Sequence, residues 1–210
     1  AMPKITAQLF VSVDGVVEAP EIWHFDFWND QMEAAVGTLL HAADTMLLGR
    51  ATYEIFAASW PERGSDDLFA DRINSMPKLV ASNTLPEVTW RNSRLITGDA
   101  TTELTRIKAE PGGDIMLTGS PTLVQSLLAA GVLDELNLLV HPVVLGTGRR
   151  LFDGSPPKTA LTLTEAVTFT TGVLNLTYTA RVAGVAPGNQ QRSRASATFS
   201  ATRASGRASR

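Results

Sequence analysis

Leu47-Leu48-Gly49-Arg50-Ala51-Thr52-Tyr53-Glu54 is the stretch that decides how the chain reads. An apolar run stops at Gly-Arg and a helical pattern starts at once, the order of a buried strand feeding directly into a helix. A glycine at such a junction lets a ligand approach the backbone. The unpaired N–H groups of the first helical turn face whatever docks there and favour an anion. Arg50 adds a planar guanidinium suited to phosphate; the same residues also fit a plain tight turn with a surface arginine. Thr118-Gly119-Ser120-Pro121 repeats the order, with an apolar strand, a glycine, a capping serine and a proline at the first helical position. Two such junctions predict a ligand with more than one phosphate.

Working outward, residues 5–13 form a β-rich run ending in the turn Ser12-Val13-Asp14-Gly15. A loop over 20–29 is dense in aromatics (Trp23, Phe25, Phe27, Trp28). Met32, Ala35, Val36, Leu39, Leu40 and Ala43 fall at helical spacing and predict an amphipathic helix over 30–43. A short buried strand over 45–48 and the helix over 50–58 follow. Asp66 can cap a helix covering Leu68, Phe69, Ile73 and Met76. Strands are predicted over 78–81, 94–97 and 114–118, with a helix from about Asp99 to Ala109 between the last two and another from Ser120 to Gly131. Leu136, Leu138 and Val140 alternate in a long strand. Leu161 with Leu163, and Leu174, Leu176 and Tyr178, read as an antiparallel pair with one wet face. Strand and helix alternate in the front two thirds and only strands follow. That order indicates an α/β domain whose sheet is mostly parallel, with antiparallel strands added at the C-terminal edge.

Composition bounds the rest. The 210 residues are 44% apolar, enough for one good-sized core, and contain no cysteine, which excludes disulfides, thiolate zinc sites and cysteine nucleophiles. No apolar run has the length that spans a bilayer, and the N-terminus leads into a strand without a signal-peptide core, so a cytoplasmic protein is expected. The net charge of −3 is uneven: residues 183–210 hold five arginines and no acid, so the remainder carries −8. An acidic body argues against nucleic acid as the main partner. The Arg-, Ser- and Ala-rich segment 183–210 is expected to be a disordered tail behind a domain over 1–182; an arm for RNA or a partner chain is the alternative.

Few residues suggest chemistry beyond the two junctions. Ser82-Asn83-Thr84 follows a strand and could meet a ribose or a 2′-phosphate. Gly146-Thr147-Gly148-Arg149-Arg150-Leu151 lacks the third glycine of a dinucleotide fingerprint and follows an edge-type strand, so it reads as a turn. His24, His41 and His141 are scattered and show no ligand spacing, so no metal is expected. Asp14 beside a glycine and Glu33 on the helix after the aromatic loop are the candidate acid–base groups; a turn-forming aspartate and a solvated helix face are the plainer readings. The loop aromatics could stack on a flat heterocycle or simply cover the core.

Taken together, Ser12-Val13-Asp14-Gly15, Leu48-Gly49-Arg50-Ala51-Thr52-Tyr53-Glu54, Lys78-Leu79-Val80-Ala81-Ser82, Thr118-Gly119-Ser120, Leu133-Asp134-Glu135-Leu136 and His141-Pro142-Val143-Val144-Leu145-Gly146-Thr147-Gly148 resemble the dihydrofolate-reductase-like family. The nearer branch is the one similar to the reductase domain of bacterial riboflavin biosynthesis. The resemblance runs from about Lys4 to Arg181 and implies a three-layer α/β fold of that type, NADPH as hydride donor and a planar pteridine-, pyrimidine- or flavin-like substrate. It implies that Gly49, Arg50, Ala51 and Thr52 hold cofactor phosphates. Ser82 and Asn83 would lie near the adenosine ribose or its 2′-phosphate, and Gly119, Ser120 and Leu123 would line the diphosphate and nicotinamide side. Asp14 would sit near nicotinamide and substrate, with Glu33 near the place of the family's buried helix carboxylate, though the sequence around it matches poorly. A homodimer is expected by the same likeness. A nucleotide- or flavin-binding module without turnover is the alternative function.

Overall fold

The computed structural model of the protein describes residues 1–180, so the expected tail over 183–210 lies outside the described residues. Eight strands form one sheet in the order β4-β3-β2-β5-β1-β6-β8-β7. They are β1 (Ile5–Ser12), β2 (Thr45–Gly49), β3 (Lys78–Ala81), β4 (Ser93–Ile96), β5 (Ile115–Thr118), β6 (Glu135–His141), β7 (Leu161–Thr168) and β8 (Leu174–Ala180). β1 to β6 are mutually parallel where they pair, and β8 and β7 add antiparallel at the edge, as the alternation predicts. The helices are α1 (Asp30–Ala42), α2 (Arg50–Ser59), α3 (Ala70–Ser75), α4 (Ala100–Lys108) and α5 (Pro121–Ala129). Among the described residues no helix is long and apolar enough to cross a membrane.

Strand alternation sorts the helices into two layers. Ile5, Ala7 and Leu9 of β1 face a core with Leu104 of α4 and Leu123, Val124 and Leu127 of α5. Met46 and Leu48 of β2 pack on the opposite side with Leu40 of α1, Tyr53 of α2 and Ile73 of α3. Full burial of a leucine such as Leu127 (0% exposed) contributes roughly 2 kcal/mol, and α5 buries four apolar side chains on one stripe. Caps explain several boundaries. Asn29 accepts from the Met32 N–H at 3.0 Å and starts α1, and Asp99 accepts from Thr101 and Thr102 and starts α4. The helix expected from Asp66 is shorter than its apolar pattern: Asp67, not Asp66, accepts from Phe69 N–H, and α3 begins at Ala70.

One cation belongs to the core. Lys78, 1% exposed, donates to the carbonyls of Met76 (2.9 Å), Asn74 (3.2 Å) and Arg91 (3.3 Å), and its Nζ lies 4.1 Å from the centre of the Trp90 ring. Burial, and then the Arg91 charge, push its pKa down to about 8. Three carbonyls and an aromatic face stabilise the charged form in return.

Candidate functional site

The parallel strands place all their C-terminal ends along one rim. β5 inserts between β2 and β1, pairing Leu48 with Thr118 on one side and Gln8 with Thr118 on the other. The two glycine junctions noted in the sequence therefore become direct neighbours. Their approach is so close that a Cβ built on Gly49 would overlap the Ser120 hydroxyl, and one built on Gly119 would overlap the Thr52 hydroxyl. Only glycine at both positions permits this interlock.

Backbone conformation makes the second junction unusual. Gly119 has φ +68° and Ser120 has φ +52°, two successive residues in the left-handed region. For Ser120 this conformation is strained by roughly 1 kcal/mol, and such strain concentrates at functional sites. This backbone breaks sharply from the extended path of β5 immediately before α5. Ser120 occupies the N-cap position of α5, but its side chain makes no cap hydrogen bond; Gly49 at the N-cap of α2 has no side chain to make one. The expected capping serine thus turns its hydroxyl towards Gly49, and neither helix start has a side-chain cap among the described residues.

Around this interlock lie further polar groups. Arg50 is half exposed; its Nη1 donates to Thr84 Oγ1 at 2.8 Å and its Nε to Glu54 at 3.1 Å. The first of these contacts joins the Gly49 junction to the loop after β3. Within that loop Ser82 Oγ accepts from the N–H groups of Thr84 and Leu85, and Asn83 Oδ1 accepts from Gly98 N–H at 2.6 Å. Ala51 is exposed on the first turn of α2. Leu123 is a core residue, 8% exposed, so it can offer the rim only its first-turn amide. Two groups escaped the sequence reading. The Thr118 hydroxyl, buried at the end of β5 without a hydrogen-bond partner among the described residues, has the sequence signature of an ordinary strand threonine. Arg149, in the turn set aside as a failed fingerprint, donates to Thr122 Oγ1 at the start of α5.

The two carboxylates fare differently. Asp14 accepts from Ser12 Oγ (2.6 Å), Gly146 N–H (2.8 Å) and Leu145 N–H (3.1 Å), and Arg150 approaches it at 3.7 Å. The Ser12 hydroxyl first, then the two amides, hold its pKa at about 2. It is a fixed anion that ties the turn after β1 to the loop after β6, and a carboxylate so held has no proton to give at neutral pH. Glu33 is exposed on the first turn of α1 and is not brought to the glycine interlock by any contact. The structure does not bring the two together.

The aromatic loop closes over the ends of β1 and β6, on the α1 side of the sheet. His24 (5% exposed) and His141 (0% exposed) are buried there among Phe10, Trp23, Phe27 and Trp28. Burial lowers the pKa of both, His24 to about 4, so both rings are neutral. The histidines are far apart in sequence, and only the pairing of β1 with β6 and the fold of the loop bring them together. Among the described residues no group of three His, Cys, Asp or Glu side chains is placed to hold a metal.

Comparison with known proteins agrees with this architecture. The chain is 28% identical over 178 residues to YyaP of Bacillus subtilis, covering 83% of this chain and 94% of that one. It is similar to the crystal structure of a riboflavin biosynthesis protein, so described provisionally, from Shewanella sp. PV-4 (TM-score 0.69, 19% identity, 85% of this chain and 99% of that one). It is also similar to dihydrofolate reductase from Enterococcus faecalis complexed with NADP(H) (TM-score 0.54, 14% identity, 85% and 97%). The fold is therefore the dihydrofolate-reductase-like one. The model of the RibD C-terminal domain matches residues 3–175, and the chain belongs to that family.

Proposed function

We propose that the protein is an NADPH-dependent reductase acting on a small flat heterocycle of pteridine, pyrimidine or flavin type. The observation that supports this most is the interlock of Gly49 with Ser120 and Gly119 with Thr52, which sets two uncapped helix starts side by side at the strand ends. In this reading Gly49, Arg50, Ala51 and Thr52 hold one phosphate and the amides of Gly119, Ser120 and Leu123 hold the next. Ser82 and Asn83, linked to Arg50 through Thr84, face the adenosine ribose or its 2′-phosphate. NADPH would supply the hydride. The chain's own residues bind and orient, converting an encounter into a positioned approach. Asp14 acts by fixing the loop after β6, not by moving a proton. The exposed Leu163 (50%), Val167 (39%) and Leu174 (39%) of the edge hairpin fit pairing of two copies through β7 and β8.

The test has two stages. Saturating NADPH, at about 100 times its Kd, raises stability by roughly 2.7 kcal/mol, a melting shift of about 5–10 °C. Loss of the cofactor's near-ultraviolet absorbance with a panel of pterins, flavins and pyrimidines then shows turnover. No melting shift and no binding isotherm at millimolar NADPH would refute the reading. Binding without oxidation across the panel would favour a sequestering module instead, a reading supported by the exposure of Glu33 and the fixed anion at Asp14.

A further inference from the structure

The turn set aside as a failed dinucleotide fingerprint, residues 146–151, is held more firmly than a surface turn needs. Its main chain lies along the segment that follows β1. Val17 N–H donates to the Arg149 carbonyl at 2.9 Å, and Leu151 N–H to the Gly15 carbonyl at 3.0 Å. Glu18 Oε2 accepts from Arg149 N–H at 3.2 Å, and Gln125 of α5 donates to the Leu151 carbonyl at 2.6 Å. Leu151, 2% exposed, is part of the core that α5 covers. Gly148 has φ +112°, and a Cβ built on it would fall 2.8 Å from Val16 Cγ1, so only glycine lets this strap lie flat. Residue 149 is thus pinned through both its N–H and its carbonyl, while its side chain stays exposed.

The Arg149 guanidinium is poorly matched to what surrounds it. Among the described residues, every other arginine meets a carboxylate or a backbone carbonyl. Arg149 meets only the Thr122 hydroxyl and leaves most of its donors unused. The nearby Glu18 carboxylate is engaged by the Arg149 main chain and forms no ion pair with the side chain among the described residues. Position adds to the mismatch. Thr122 stands in the first turn of α5, the positive end of the helix, where a cation has the wrong sign. α1, α3 and α4 place acids in their first turns (Asp30 and Glu33, Asp71, Glu103), whereas α2 and α5 place none. Each of these two has an arginine instead, Arg50 within α2 and Arg149 brought to α5 by the strap. Positive charge gathered at two adjacent positive helix ends is a cost that an anion removes.

We infer that Arg149 is the side chain that reads the phosphate next to α5, and that the strap serves to present it. The guanidinium leaves the neutral Thr122 hydroxyl for charged oxygens, which its planar fork binds more strongly. This deepens the reductase reading and rests on it for the identity of the whole ligand, but not for capture of the anion. Arg50 is tied to the loop after β3, on the far side of the interlock, so the two arginines serve different phosphates. Arg149 then selects ligands with a diphosphate over those that carry a single phosphate on the adenosine side.

The probes are NADPH, inorganic pyrophosphate and adenosine 2′,5′-bisphosphate, which keeps the adenosine end and has no diphosphate. Each is titrated calorimetrically at low salt into wild type, Arg149→Met and Arg149→Lys, with thermal melts of the unliganded proteins. Arg149→Met is expected to weaken NADPH and pyrophosphate about tenfold and the bisphosphate by less than about twofold. Arg149→Lys, which keeps the charge and loses the fork, weakens the first two about threefold. Unliganded Arg149→Met melts within about 2 °C of wild type, since the arginine gains little from the fold before an anion arrives. Unchanged NADPH and pyrophosphate binding in Arg149→Met overturns the proposal, as does an equal loss for all three ligands. A fall of more than about 5 °C in the unliganded melt overturns it in favour of a purely structural strap. If wild type binds neither NADPH nor pyrophosphate at millimolar concentration, both readings fall. Pyrophosphate held through Arg149 without any NADPH binding sinks the reductase reading and leaves the anion reader standing.

Discussion

Gly49→Ala adds one methyl group at a backbone conformation that alanine accepts, since φ is −79° and ψ 169°. No strain enters through the main chain, and the whole effect is steric. The new Cβ falls on the Ser120 hydroxyl and 2.6 Å from Ser120 Cβ. Ordinary carbon–carbon contact needs about 3.5–4.0 Å, so the two helix starts must separate by roughly 1 Å. Overpacking of this kind costs about 1–3 kcal/mol, and a midpoint of ~2 kcal/mol lowers the melting temperature by about 4–8 °C in a domain of this size. If the amides of the two helix starts hold one diphosphate, as proposed, separating them removes one or two charge-assisted bonds, and the NADPH Kd is expected to rise roughly 10- to 100-fold. Ser120→Gly removes the obstructing atoms and suits φ +52°. In the double variant Gly49→Ala/Ser120→Gly, stability and affinity therefore return most of the way. Urea unfolding and calorimetric NADPH titration of all four proteins give the coupling energy, expected near 1.5 kcal/mol. Additive effects, within about 0.5 kcal/mol, would refute the claim that the two junctions press on each other.

Arg50→Ala should leave stability within about 0.5 kcal/mol, because its ion pair with Glu54 is half exposed on both sides. It should weaken NADPH about tenfold at low salt, with the difference shrinking as salt is added; calorimetry across a salt series checks both. For His24, the folded pKa of about 4 lies below the ordinary 6.5, so the unfolded ring takes up a proton first. The stability contributed by the neutral ring is complete above 6.5 and is lost as pH falls from there towards 4. The loss is at most about 3 kcal/mol, the size of the shift from 6.5 to about 4. His24→Phe should lose this part of the pH dependence in urea melts. Lys78→Met leaves three carbonyls without their donor and should cost about 1–3 kcal/mol in urea unfolding without changing the NADPH Kd of the folded protein.

Much of the fold was legible because local signals agreed with each other. Asp99, the apolar spacing of α1 and the alternation in β6 and β8 each specify an element without help from distant residues. Order of elements then gives a parallel sheet with an antiparallel edge. The glycine junctions were legible as motifs, but their contact was not. It depends on β5 entering between β2 and β1, a long-range pairing with no local signature. The role of Asp14 was legible only in its plainer form, as a turn former, since its amide partners Leu145 and Gly146 lie 131 and 132 residues away. Ser120 misled in detail: serine before proline reads as a side-chain cap, whereas the close approach of Gly49 places it in the left-handed region with its hydroxyl elsewhere. His24 and His141 carried no signal at all, because burial among aromatics is a property of the assembled loop.

The phosphate cradle proposed for this protein would be built mostly from main chain, and main chain has no alleles. Substitution at Ala51 or Thr122 changes a side chain but leaves each amide where it was, so drift along the two helix starts has little purchase on how a diphosphate is gripped. The aromatic loop is the reverse, a set of rings whose packing on Phe10 and His141 depends on each side chain. On the proposed reading, side-chain change is channelled into the loop over 20–29, while the main-chain grip on a diphosphate stays constant by construction.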